Sequence, residues 1–285
     1  MRTRKLCSVS GLSRVAGTAL AILFLCGLGV AQEVDESAAH RLFELLNQER
    51  DKAGLAALHW DERLAQAAVD HSKLLAEYKR LSHQFEGEPA LRQRLAKYDL
   101  RLNRSGENVA YDNSIGSAHT GLMQSPRHRD NIMSPNYNAA GIGVVKRGNL
   151  YYVTQNFAHR LPELAIDDVE RRIAASVAKL RQQQGLRRLA RVENAGLRSM
   201  ACQMAVDDQL QPRLAQGLPG ARHFIAYTMT DPETLPEQVL NLRTASSIDR
   251  FGVGACFERS ATYPNGVYWV MLVFMQSGDA RATGS

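Results

Sequence analysis

Cysteine is scarce in this chain, with only four residues in 285. None of them stands in a Cys-x-x-Cys pair, which excludes dithiol redox chemistry and cysteine-ligated zinc of the usual spacing. Cys7 and Cys26 lie within the first 31 residues, so only Cys202 and Cys256 remain for the rest of the chain. We expect these two to form one disulfide, and the alternative is a pair of buried free thiols.

Long apolar runs are missing too, apart from one near the N-terminus. Residues 1–14 carry four basic and no acidic side chains, and the 17 residues 15–31 are uncharged and apolar. This pattern predicts a signal peptide over 1–31, cleaved after Ala31. A membrane anchor is the alternative, but the run is shorter than the about 20 residues that span a bilayer. We therefore expect a secreted or periplasmic protein with no stable membrane anchor.

The chain has no strong excess of one charge. Its formal net charge is +6, and loss of the four basic residues within 1–31 lowers it to +2. A balance this close to neutral predicts no nucleic-acid partner. Several enzyme motifs are also absent from the sequence: His-Glu-x-x-His, a phosphate-binding loop, a dinucleotide fingerprint and a Gly-x-Ser-x-Gly elbow.

The order of predicted elements is similar in the two halves of the chain. In the first half, apolar spacing predicts five helices and a closing hairpin, at about 37–53, 61–81, 90–98, 113–123, 127–133 and 141–157. In the second half, it predicts two helices and a closing hairpin, at about 167–184, 193–210 and 251–274. Each half therefore begins with helices and ends in a hairpin.

This repeated order favours an α+β protein with an internal duplication. We expect one domain at 32–160, a repeat of it at 161–276 and a disordered tail at 277–285. The alternative is a chance likeness between two ordinary helix-then-hairpin segments.

Three side chains of the first half can bind a metal or transfer a proton: His83, Glu107 and His128. They stand in the segments Ser-His at 82–83, Gly-Glu-Asn at 106–108 and Ser-Pro-Arg-His-Arg-Asp-Asn-Ile at 125–132. Separations of 24 and 21 residues do not by themselves bring the three side chains together.

This ordered set of segments resembles the bacterial branch of the CAP superfamily, the SCP-like or cysteine-rich secretory protein family. Further matches are Asn-Gln-Glu-Arg at 47–50, Trp-Asp at 60–61 and Gly-Ile-Gly-Val at 141–144, and the likeness covers about residues 38–158. The resemblance implies an α-β-α sandwich (CAP/SCP-like) domain, followed here by a degenerate second CAP-like copy. It also implies a central cleft lined by two histidines and two glutamates.

By motif, the resemblance assigns His83 and His128 to the two histidines of the cleft and Glu107 to its first glutamate. The second glutamate has no match in Gly-Leu-Met-Gln at 121–124, so we expect a triad. In the second copy, His223 stands where the first copy has Glu107, and no histidine follows it. We expect that copy to be catalytically empty.

Two neutral imidazoles can hold zinc or another divalent cation, so we expect His83 and His128 to be metal ligands. Glu107 is then expected to act as a base toward bound water. The metal affinity should be modest because catalytic zinc usually takes three protein ligands. The alternative is that the three side chains only hydrogen-bond one another and tie the second helix to the sheet.

The resemblance implies a secreted binding module for a divalent metal or a small apolar ligand, with an envelope or extracellular protein as a further candidate partner. One alternative is a metal-assisted hydrolase, a peptidase or nuclease with His83, Glu107 and His128 as catalytic residues; another is a structural envelope protein. Binding is favoured because neither a nucleophile nor a full ligand set is visible. We expect His71 to face away from the cleft and His119 to face solvent or cap a helix.

Overall fold

The computed structural model describes residues 31–240 and 248–277. Except for Ala31, the predicted signal peptide lies outside the described residues, and so does the predicted tail except for Ser277. Within the described segments, no helix has the length and apolar character needed to cross a membrane.

Five strands of the first half form one mixed sheet. Their bounds are β1 Gln32–Val34, β2 His59–Trp60, β3 Leu102–Asp112, β4 Ala139–Arg147 and β5 Leu150–Arg160. The order across the sheet is β1-β4-β5-β3, with antiparallel neighbours, and β2 pairs in parallel with β4 beside β1. β3 therefore lies at one side of the sheet, and β1 and β2 share the other.

Helices cover both faces of this sheet. Their bounds are α1 Glu36–Lys52, α2 Glu62–Tyr78, α3 Leu91–Ala96, α4 Ile115–Gln124 and α5 Pro126–Ile132. α1 and α4 pack on the face that carries Phe157, and α2 and α3 pack on the face that carries Ala158. Consecutive strand residues point to opposite faces. The predicted α-β-α sandwich is thus confirmed for the first half.

α2 lies unusually close to the sheet. A Cβ atom added at Gly141 would lie 2.1 Å from the Ala65 nitrogen, and one added at Gly143 would lie 2.2 Å from the Val69 nitrogen. Only glycine leaves room for a helix backbone this near to a strand. The two glycines of β4 therefore fix the depth of α2, and with it the side chains that α2 directs into the interior.

The second half contains a second sheet. Its strands are β6 Ala190–Arg191, β7 Ala221–Met229, β8 Arg250–Glu258 and β9 Val267–Met275. Its helices are α6 Ile166–Gln183, α7 Ala195–Val206, a 3-10 turn at Pro212–Ala215 and α8 Glu237–Leu240. The strand order is β6-β8-β9-β7, with β6 parallel to β8, and α6 and α7 pack on opposite faces.

The turn between β8 and β9 contacts the segment that leads into β3. The side-chain amide of Asn265, only 1% exposed, donates to the Leu100 carbonyl at 3.3 Å. The guanidinium of Arg101 lies 3.8 Å from the ring centre of Phe257. These contacts hold the start of β3 from the second half of the chain.

Candidate functional site

His83 and Glu107 meet at the outer side of β3. His83 lies in the loop after α2, and Glu107 lies in the middle of β3. The His83 Nδ1 and the Glu107 Oε1 are 2.9 Å apart. The His83 side chain is 62% exposed and that of Glu107 is 3% exposed. A buried carboxylate therefore holds an imidazole that faces solvent.

Arg94 of α3 occupies the other oxygen of Glu107. Its Nη2 donates to the Glu107 Oε2 at 2.7 Å and to the His83 carbonyl at 3.0 Å. The Arg94 side chain is buried with Glu107, so this is a charge-assisted bond in a dry environment. One arginine thus fixes both the carboxylate and the loop that carries the imidazole.

His71 is buried beside this group, and the prediction that it faces away from the cleft is wrong. Its Nδ1 lies 2.7 Å from the Glu88 Oε1, its Nε2 lies 2.8 Å from the Ser82 carbonyl, and the Glu107 Oε1 is 4.0 Å from that Nε2. His71 follows Leu64 by seven residues, which places it on the buried stripe of α2. It ties α2 to the loop just before His83.

His128 approaches the site from α5, on the other side of β3. The Asn108 side chain donates to the His128 carbonyl at 3.0 Å, and the Asn131 side chain donates to the Asn108 Oδ1 at 2.9 Å and to the Glu107 carbonyl at 3.3 Å. Asn131 thus joins α5 to β3. These bonds set the position of His128 relative to Glu107.

The two candidate histidines titrate in opposite directions. The hydrogen bond that the His83 ring donates to Glu107 raises the pKa of His83, against the opposing effects of burial and of the Arg94 charge. Burial lowers the pKa of His128, and the nearby charge of His83 lowers it further. His128 is therefore the imidazole of the pair that loses its proton at the lower pH.

His119 is 8% exposed and lies inside α4, whose N-cap is Ser114, so the prediction that it faces solvent or caps a helix is wrong. It lies on α4, beside Ala118 and Leu122, which pack against the apolar side of α1. Burial lowers the pKa of His119, because the interior disfavours the charged ring. It belongs to the helix packing and not to the site.

The described side chains do not form a closed metal site. Across residues 31–240 and 248–277, no group of three or more His, Cys, Asp or Glu side chains is arranged to hold a metal. Glu107 is committed to Arg94 and His83, which leaves the rings of His83 and His128 as the available ligands. Water would have to complete the coordination of any ion bound there.

In the second half, a disulfide joins Cys202 of α7 to Cys256 of β8. His223 lies near the start of β7 and is exposed. His223 is the single histidine in residues 161–285 of the sequence. The two-histidine arrangement of His83 and His128 is therefore not repeated in the second half.

Comparison with known proteins assigns the first half to a family. Residues 43–157 match the family model CAP, the cysteine-rich secretory protein family. The protein described as uncharacterized membrane protein YlbC of Bacillus subtilis (strain 168) is 32% identical over 130 residues, which are 45% of this chain and 36% of that protein. YkwD of the same strain, described as an uncharacterized protein, is 30% identical over 118 residues, 41% of this chain and 45% of that protein.

The chain thus spans less than half the length of either curated relative. Among solved structures, an extracellular protein containing an SCP domain from Bacillus anthracis str. Ames is 29% identical. That match covers 44% of this chain and 41% of the other, with a TM-score of 0.41. The family match and the ordered motifs within it show that the first half of this chain contains a domain similar to the CAP family, over residues 43–157.

Proposed function

We propose that the CAP domain is an exported binding module that holds a divalent cation such as zinc between His83 and His128. One observation carries the proposal: the His83 Nδ1 is bonded to a buried carboxylate, while its Nε2 has no partner within the described residues. Histidines that bind metals nearly always direct their second ring nitrogen to such a partner, which fixes the tautomer and raises the basicity of the free nitrogen.

His128 supplies the second ligand of the proposed site. Its lowered pKa favours the neutral imidazole, the form that binds a metal. With two protein ligands and water in the remaining positions, the affinity should be well below that of a structural zinc site. A bound ion would supply a Lewis acid at the surface of the cleft.

The geometry of the site supports a binding function better than a hydrolytic one, because Glu107 is poorly placed to act as a base toward water. Both of its oxygens are bonded, and its side chain is 3% exposed. In this arrangement Glu107 orients His83. We therefore assign Glu107 as a positioning residue.

We further propose that the second half is a degenerate CAP-like copy that has lost the cleft. The strand order β6-β8-β9-β7 with a parallel β6–β8 pair, and the order β1-β4-β5-β3 with a parallel β2–β4 pair, support this origin. The N-terminal signal-like pattern and the Cys202–Cys256 disulfide support export to an oxidising compartment.

Zinc titration by calorimetry tests the proposed site. At about pH 8, where most imidazoles are unprotonated, the protein should bind one zinc ion, and a His83→Ala, His128→Ala double variant should lose that binding. A double variant of two exposed histidines elsewhere, His59→Ala with His223→Ala, is the matched control and should bind as the native protein does. Equal binding by both variants, or none by the native protein, would overturn the proposal.

A further inference from the structure

A cavity of about 280 Å³ lies at the outer edge of β4, between α1 and α2. We call it the edge groove and define it by Val34, Glu36, Trp60, Gln66, Val69 and Ile142. β4 is separated from β3 by β5, so the edge groove lies on the opposite side of the sheet from Glu107. The proposed cation site uses none of its residues.

The floor of the edge groove is a short uncovered piece of strand. β1 pairs with residues 145–147 and β2 with residues 139–140. The carbonyls of Val144 and Ala140 point to this edge, since they accept from the Asp35 and Asp61 nitrogens at 3.0 and 2.9 Å. Alternate residues direct their backbone groups to the same side.

Ile142 therefore turns its N–H and C=O into the groove, where no described strand pairs with it. The opening is closed at both ends by β1 and β2 and is too short to accept a whole additional strand.

The walls of the groove combine polar side chains with an apolar part that includes one aromatic ring. Trp60 is half-buried, and the His40 ring is tilted against it with ring centres 4.3 Å apart. Val69 lies on the α2 side, and Val34 is 41% exposed at the mouth. An indole face next to aliphatic side chains suits an apolar body, and it also attracts a cationic group.

The rim of the groove is acidic. It carries the carboxylates of Asp35, Glu36, Glu62 and Asp70 against the single ammonium of Lys73. Only Asp70 pairs with a basic side chain, Lys73 at 3.2 Å; the other three form no ion pair within the described segments. The rim therefore has an excess of negative charge that a cationic ligand would neutralise.

We propose that the edge groove binds a small apolar molecule that carries one positively charged amine. The apolar body packs against Trp60 and Val69, and the charged group lies at the acidic rim near Glu36. The position beside β6 and β8 on the second sheet is different, because its charges balance: the carboxylates of Asp167, Glu170 and Glu193 stand against the guanidinium groups of Arg171, Arg191 and Arg198. Charge at that position gives no reason to expect an amine there.

A series of ligands that differ only in charge tests this proposal. Hexyltrimethylammonium, hexanol and hexanoate are titrated into the native protein by calorimetry. The cation should bind about tenfold more tightly than the alcohol, and hexanoate should not bind. The fluorescence of Trp60 should change with the same midpoint, because the other tryptophan, Trp269, is buried in the second half.

Three single variants locate the binding. Gln66→Trp fills the groove from an exposed position of α2 and should abolish binding of both hexyl compounds. Glu36→Gln should weaken the cation severalfold and leave hexanol unchanged, whereas Glu44→Gln, on the same helix but outside the groove, should change neither. Equal affinity for cation and alcohol, normal binding in Gln66→Trp, or equal losses in the two glutamate variants would overturn the proposal.

Discussion

Glu107 is a buried charge, and the interior tolerates such a charge only when its oxygens are paired. Arg94 neutralises one side of the carboxylate and His83 takes the other. The result is an exposed ring whose orientation is set from inside the protein. This division of roles explains how a carboxylate that does not reach solvent can control chemistry at the surface.

Replacing Glu107 by glutamine should lower the pKa of His83, since the hydrogen bond to the carboxylate is the main cause of its raised value. NMR titration of the His83 ring measures this. The variant also removes the nearer of the two carboxylates that pair with the buried Arg94, the other being Glu88 at 3.4 Å. It should lose up to about 3 kcal/mol of stability, so circular dichroism must first show that it is folded. Glu86→Gln, an exposed change in the same loop, is the control, and an unchanged His83 pKa in Glu107→Gln would contradict the assignment.

His119 should make the protein less stable in mild acid. Burial lowers the pKa of His119 in the folded state. Just below the pKa of about 6.5 in the unfolded chain, the unfolded chain therefore binds a proton at this residue more readily than the folded chain does. Stability from this residue is present above that pH and is lost as the pH falls. His119→Gln should therefore lose less unfolding free energy than the native protein between about pH 7.5 and about pH 5.

Urea unfolding at the two pH values gives the comparison. His59→Gln, at an exposed position, is the control and should follow the native protein. The interpretation of His119 as a buried neutral ring fails if both variants show the same dependence on pH.

At the residue scale, motifs predicted His83, Glu107 and His128, and the structure places all three around β3. Arg94 and His71 were not predicted as members of this group. The buried stripe Leu64, Ala68, His71, Leu75 on α2 was the available signal for His71. The sequence contained no comparable signal for Arg94. Arginine is usually exposed, and an arginine on a six-residue helix is predicted to be exposed unless a buried carboxylate partner is known.

At the scale of elements, the helices and hairpins follow the predicted periodicities closely, but β3 and β7 were not predicted as strands. β3 carries Asn103, Arg104, Ser105, Glu107 and Asn108, a polar run without clean alternation. Its pairing with β5 depends on a partner that begins more than forty residues later in the chain. Local pattern cannot show such a long-range pairing.

The close contact of α2 with β4 gives an element-scale test. A Cβ at Gly143 would lie 2.2 Å from the Val69 nitrogen and 2.3 Å from the Ala68 carbonyl carbon, and neither backbone atom can turn aside. Gly143→Ala should therefore cost about 3 kcal/mol or more of unfolding free energy. Chemical denaturation of the purified protein measures it.

Gly116→Ala is the matched control for this change. Gly116 lies within α4, and a Cβ there meets nothing within 4 Å. The substitution should stabilise the protein by up to about 1 kcal/mol. If Gly143→Ala and Gly116→Ala change the unfolding free energy by similar amounts, α2 does not pack against β4 at the short distances described.

At the scale of the whole molecule, the second half supports the segment that leads into the site strand. Asn265 caps the Leu100 carbonyl, and Arg259 pairs with Asp99. The sequence predicted two similar halves but could not predict these contacts, since they join residues about 160 positions apart. A role of the second half in stabilising the CAP domain follows from them.

Asn265→Ala should leave the Leu100 carbonyl without its donor and cost about 1–2 kcal/mol of unfolding free energy. Urea unfolding of the full chain measures the change. Asn149→Ala, in an exposed turn of the first half, should stay within about 0.5 kcal/mol of the native protein. No difference between the two variants would mean that the Asn265 contact adds nothing to stability.

The location of a bound cation is the most direct test of the proposed function. Crystals soaked in zinc and measured on both sides of the zinc absorption edge should show an anomalous peak next to the His83 Nε2, within reach of the His128 ring. A peak only at other histidines, or none beside His83 in a crystal that has taken up zinc, would contradict the assignment of the His83–Glu107–His128 group as a cation site.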